Sequence, residues 1–171
     1  MFGEEMMEPI ALDDPRWQSL QTRSGTGERA AQELQRLYEN PSDIERFTDL
    51  WPYLSSEGTT WSAAYTAAPH ILELARRVEG RERFEYLFVL ALFRINEAGA
   101  CPEEFISAYE ESLRSALPLL GELATFDFGD ETVYYLTAMA SLKGLPKLGS
   151  LFDVLVDNYE CPECGEPISS N

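Results

Sequence analysis

From residue 28 onward the apolar residues of this chain recur every three or four positions, and nowhere do they alternate over a strand-length run. That spacing lays them on one face of successive helices. Ala30, Leu34, Leu37 and Tyr38 form a stripe over 28–40, which Asn40–Pro41 stops. Ser42 then stands where a cap belongs, with Glu45 at the capping-box position and Ile44, Phe47, Leu50, Trp51 and Leu54 as the next stripe. Pro52 predicts an end or kink near Trp51, and 55–60 reads as a polar turn around Gly58.

Residues 61–79 return to helix. Alanines 63, 64, 67 and 68 allow a second helix close approach, and Pro69 predicts a kink or a break with restart at Ala68. Over 81–98, Phe84, Leu87, Phe88, Ala91, Leu92 and Ile95 make a broad face, which predicts the most buried helix, closed by Gly99. Pro102 opens another, with Phe105, Ile106, Tyr109, Leu113 and Leu117 inward, Glu103, Glu104, Glu110 and Glu111 outward, and a kink at Pro118. Asp130 is the expected cap of a helix over 131–142, and Pro146 starts the last, with Leu148, Leu151, Phe152, Leu155 and Val156 inward. The expected fold is all-α, with about seven to eight helices joined by short turns. Residues 1–27 are expected as an extended N-terminal arm with a short turn at 13–20 docking Trp17, 28–159 as a helical-repeat domain, and 160–171 as a tail.

Part of the pattern recurs. AAPHILELA (67–75) and ALPLLGELA (116–124) share five of nine positions, and LPKLGSLF (145–152) matches LPLLGELA in five of eight. Each copy sets a proline before an apolar helical pattern, as the first turn of a helix tolerates. The spacings, 49 and then 28 residues, fit irregularly stacked helical pairs better than a strict repeat.

Composition agrees with a packed globule: 44% of residues are hydrophobic and 12% aromatic. No apolar run reaches membrane-span length, and the acidic start MFGEEMMEP has neither a basic region nor an apolar core of a signal peptide. Three cysteines make no disulfide framework. A cytoplasmic protein is the expectation. Net charge narrows the partners. It is −17, and residues 95–171 hold 14 acidic against 3 basic side chains. Such a field repels nucleic acid and anionic membrane surfaces and draws basic proteins in.

Candidate chemistry is sparse. In CPECGEP, Cys161 and Cys164 have the spacing of half a zinc ribbon, but a closed site needs two more ligands. Those could come from Cys101 and His70, or from a second chain; reduced structural thiols are the other reading. Zinc is thus the one possible cofactor. The carboxylate pairs fall on polar faces or caps, no G-x-S-x-G accompanies His70, and GTGE at Gly25 is too short for a phosphate loop. No enzyme is expected. Aromatic anchors beside carboxylates suit a protein interface, which points to Tyr53, Glu57 and Trp61 around the polar turn, together with Asp127, Asp130 and Glu131.

Trp51, Leu54, Gly58, Trp61, Ser62, Ala63, Tyr65, Ala67 and Pro69, followed by Cys161, Pro162, Cys164 and Gly165, carry a resemblance. The pattern is similar to that of poorly characterised bacterial HEAT-like helical-repeat proteins with a Cys-Pro-x-Cys-Gly close. The resemblance implies an irregular HEAT-like α-α superhelix. By analogy it implies an immunity protein that neutralises the toxin domain of a bacterial polymorphic toxin, with no nucleic-acid or membrane partner. The alternative is a structural or regulatory interaction module with a zinc-binding tail.

Overall fold

Small side chains decide what lies at the centre of this molecule. In a computed structural model, which describes residues 9–97 and 101–149, helix α3 (Ser62–Arg76) packs against α1 (Glu28–Glu39), α4 (Gly80–Ile95) and α5 (Glu103–Glu122). Its alanines at 63, 64, 67 and 68 are fully buried, so neighbours close in from several sides. The sequence favoured α4 as the most buried helix. α3 takes that place because it buries residues all round, whereas Phe88, Leu92 and Ile95 of α4 are only partly covered.

The described residues form one mostly helical domain. Helix α2 (Ile44–Leu54) follows α1 after four residues, and α6 (Thr132–Leu142) packs on α4 and α5. The chain is helical again over 146–149, where the description ends. The inward positions assigned to α1 hold: Ala30, Leu34 and Leu37 are buried, and Tyr38 lies against the core. In α5 the face is rotated. Phe105, Tyr109 and Leu113 point in as expected, but Ser112, Ala116 and Leu120 join them and Ile106 is 44% exposed.

Three prolines expected to break or start helices do neither. Pro52, Pro69 and Pro118 all lie inside continuous helices. Each removes one N–H from the ladder. In α3 and α5 the halves on either side of the proline pack on shared neighbours, and that packing holds the axis together. The recurring Pro-containing nonapeptides therefore mark the interiors of α3 and α5, two helices that pack on each other, rather than helix starts.

Two caps also differ from expectation. Asp43, not Ser42, caps α2: its carboxylate accepts from the Arg46 N–H at 3.1 Å, while the Ser42 hydroxyl donates to Glu82 at 2.7 Å. Asp130 caps nothing. Residues Gly129–Glu131 form a 3-10 turn ahead of α6, and Asp127 accepts from the Gly129 N–H at 3.0 Å.

The chain is not purely helical. β1 (Gln21–Thr22) pairs with β2 (Gly25–Thr26), and β3 (Ser55–Ser56) with β4 (Thr59–Thr60), as two antiparallel hairpins. The second turns through Glu57 and Gly58, both at positive φ (53° and 75°), the pairing that a two-residue hairpin loop of this twist requires. The stretch expected as an extended arm is folded too. After a 3-10 turn (Pro15–Ser19), the Gln21 N–H donates to the Ser62 hydroxyl at 2.7 Å. Trp17 docks as expected: it is buried, and its indole N–H donates to the Ala11 carbonyl at 3.0 Å. Gly27 is needed beneath it, since a Cβ there would stand 2.9 Å from the Trp17 carbonyl oxygen.

Candidate functional site

The four-residue link between α1 and α2 sets the two helices side by side, and the first hairpin closes over one end of the seam. A polar cleft of about 480 Å³ results. Arg29 and Glu33, one turn apart on α1, line one wall, and Arg46, Asp49 and Tyr53 on α2 line the other. Thr22, Ser24 and Thr26 of the hairpin add hydroxyls at the mouth.

One end of the cleft is electrostatically closed. The Arg46 guanidinium meets Glu33 at 2.7 Å and Asp43 at 3.1 Å, and Glu33 also takes Arg36 at 2.7 Å. Hydrogen bonds to those two carboxylates raise the Arg46 pKa above its ordinary value, so it stays charged. The other end is different. The Arg29 guanidinium lies over the Tyr53 ring, 4.8 Å from its centroid, and forms no ion pair. Glu45 and Asp49, exposed on the same cleft, have no cationic partner either.

The sequence-predicted residues divide into two groups. Tyr53 is in the cleft wall, and its carbonyl accepts from the Arg23 N–H at 2.9 Å, tying the first hairpin to α2. Glu57 projects from the tip of the second hairpin and pairs with Arg23 at 2.8 Å. Trp61 is half-buried as the N-cap residue of α3. Tyr53, Glu57 and Trp61 thus share one face with the two hairpins. Asp127, Asp130 and Glu131 do not. Glu131 pairs with Arg81 at the start of α4, whereas Thr60 of the second hairpin donates to the Phe93 carbonyl near its end, at 3.0 Å. Twelve residues of helix separate Arg81 from Phe93, roughly 18 Å. Spacing alone did not identify Arg29, Glu45 or Asp49. The one hint was that 45, 49 and 53 recur at four-residue steps on the polar side of α2.

His70 is not part of a cleft. It is 6% exposed, with Nδ1 3.1 Å from the Tyr38 hydroxyl and Nε2 2.9 Å from the Ile10 carbonyl oxygen. Both ring nitrogens are engaged in holding the N-terminal segment down. Burial lowers its pKa, which keeps the imidazole neutral. Cys101 is half-buried, and burial, helped by Glu97 and Glu110, pushes its pKa up to about 12. Its sulfur lies 3.5 Å from the Pro102 carbonyl oxygen. Among the described residues no group of three His, Cys, Asp or Glu side chains is placed to hold a metal ion. Cys161 and Cys164 lie outside the described residues.

No known family, curated protein or solved structure matches the chain. Function must therefore be argued from this chain's own residues. Among the described residues, no helix is long and apolar enough to cross a membrane.

Proposed function

We propose that this chain is a non-catalytic binding protein for a basic protein partner, of the kind that neutralises the toxin domain of a bacterial polymorphic toxin. Its helix pairs are read as an irregular HEAT-like stack, and the chain as cytoplasmic. One observation carries the reading. Every arginine but Arg29 is already paired with a carboxylate of the same chain, while Glu28, Glu39, Glu45, Asp49, Glu103 and Asp130 are exposed and unpaired. The cations are thus spent internally, and the excess of −17 faces solvent. A field of this sign speeds encounter with a basic surface, and half-buried aromatics slow separation. The face bearing the two hairpins, with Tyr53, Glu57 and Trp61, supplies both. Asp127, Asp130 and Glu131 would form a second patch some way off along α4.

The test is co-expression with the protein encoded beside this one. The reading expects a complex that survives purification at low salt and relief of any growth arrest the neighbour causes. A neighbour that forms no complex with the chain, or an arrest the chain leaves untouched, would remove it.

A second reading, a regulatory module with a zinc tail, rests on the Cys161–Pro162–x–Cys164–Gly165 spacing. With His70 engaged at both nitrogens, a second chain is the better source of completing ligands. Purified protein holding less than about a tenth of an equivalent of zinc would dispose of it, since structural zinc sites bind far more tightly than that.

A further inference from the structure

Arg29 is the exception in a chain of eleven arginines and 30 acidic residues. It shares a cleft with four carboxylates, Glu33, Asp43, Glu45 and Asp49, and pairs with none of them. Glu33 and Asp43 are taken by Arg46. Asp49 is kept apart from Arg29, whose guanidinium lies instead on the Tyr53 ring. The planar fork of an arginine stacked this way still offers its edge N–H groups to a carboxylate.

The cleft therefore presents one unneutralised cation and, one turn back along α2, an unneutralised anion. Tyr53 and Asp49 are four residues apart, so the two charges are separated by roughly 6 Å along the helix. An occupant must bring a negative group to Arg29 and a positive one to Asp49. A dianionic phosphate would meet the carboxylates lining the rest of the cleft, which disfavours it. An α-ammonium directly beside its own carboxylate is too short for the gap. A carboxylate and an ammonium held apart by a lysine-length chain fit, and the cleft, at about 480 Å³, lies in the size range of small-ligand sites.

We propose that the cleft between α1 and α2 binds a carboxylate-bearing ligand with a distal ammonium group, carboxylate on Arg29 and ammonium on Asp49 and Glu45. The chemistry belongs equally to free lysine and to the C-terminal residue of a peptide ending in lysine. This site is independent of the partner reading above.

The test titrates the full chain, followed by amide chemical shifts, with ε-aminohexanoate, hexanoate and hexylamine. The two-ended probe should saturate below about 10 mM and shift resonances of Arg29, Asp49 and Tyr53, and each one-ended probe should bind about tenfold more weakly. Arg29→Gln and Asp49→Asn, both at exposed positions, should each cost about tenfold while leaving distant resonances unmoved. L-Lysine against Gly-Gly-Lys then assigns the source: tighter tripeptide binding identifies a peptide terminus, tighter lysine the free amino acid. Equal binding of the three probes, shifts confined to other parts of the molecule, or no saturation by about 10 mM would overturn the proposal.

Discussion

Tyr38 and His70 meet edge to face, with ring centroids 5.9 Å apart and the phenol hydroxyl 3.1 Å from Nδ1. The opposite nitrogen of the same imidazole is bonded to the Ile10 carbonyl. One buried ring thus joins α1, α3 and the N-terminal segment. Trp17 lies against it, and Arg77 covers the far side of the Tyr38 ring at 4.7 Å. Nδ1 accepts from Tyr38 and Nε2–H donates to Ile10 only while the ring is neutral.

Burial lowers the folded-state pKa of His70 below the unfolded value, so the unfolded chain binds more protons as pH falls. Stability should fall below about pH 6.5, at up to about 1.4 kcal/mol per unit, until the folded pKa is passed. Urea unfolding of wild type and His70→Asn at pH 7.5 and pH 5.5 checks the sign. The variant should be weaker at the higher pH, by about 2 kcal/mol, and lose less on acidification.

Tyr109 and Tyr86 are both buried in the core, yet their hydroxyls differ. The Tyr86 hydroxyl donates to the Pro41 carbonyl at 2.7 Å, whereas the Tyr109 hydroxyl has no hydrogen-bond partner. Tyr86→Phe should destabilise by about 1–2 kcal/mol, because it orphans an acceptor. Tyr109→Phe should be neutral or stabilising by up to about 1 kcal/mol, because it removes a desolvated group that gains nothing. Thermal unfolding of the two variants side by side gives the comparison.

Glu57 occupies a left-handed position (φ 53°) that costs a side-chain-bearing residue about 1 kcal/mol. Glu57→Gly should therefore raise stability by up to that amount, the exposed Arg23 pair being worth little in return. If the hairpin face receives the basic partner, the same change should weaken the complex. Opposite movement of melting temperature and affinity is the expected result.

The Cys101 thiol, its pKa pushed up to about 12, should resist alkylation at pH 8 in the folded protein. Labelling a Cys161→Ser, Cys164→Ser double variant with iodoacetamide isolates it. Modification should be at least about tenfold faster in urea than in buffer.

The sequence was a good guide to the helices and a poor one to what joins them. Helix α1 could be read from Ala30, Leu34 and Leu37 because burial on one face leaves a period near 3.6. The hairpins left no such trace: strands of two residues cannot show an alternation, and Glu57 is not a residue that announces a left-handed turn. Ser42 and Asp43 are adjacent cap formers, and the choice fell to Asp43 because Glu82, forty residues away, takes the serine hydroxyl. Pro69 and Pro118 misled for a related reason, since long-range packing on both halves of a helix outweighs a local break. The cleft was the least legible feature. That Arg29 would stack on Tyr53 instead of pairing with Asp49 depends on how α1 settles against α2, and no single segment encodes it.

The most direct measurement is the association rate constant of the chain with the basic protein encoded beside it, taken across a range of salt. If solvent-facing carboxylates steer the encounter, the rate should drop at least about tenfold between about 50 and 500 mM salt while dissociation changes little. A rate that ignores ionic strength, or the absence of a complex at about 10 µM, would contradict the account.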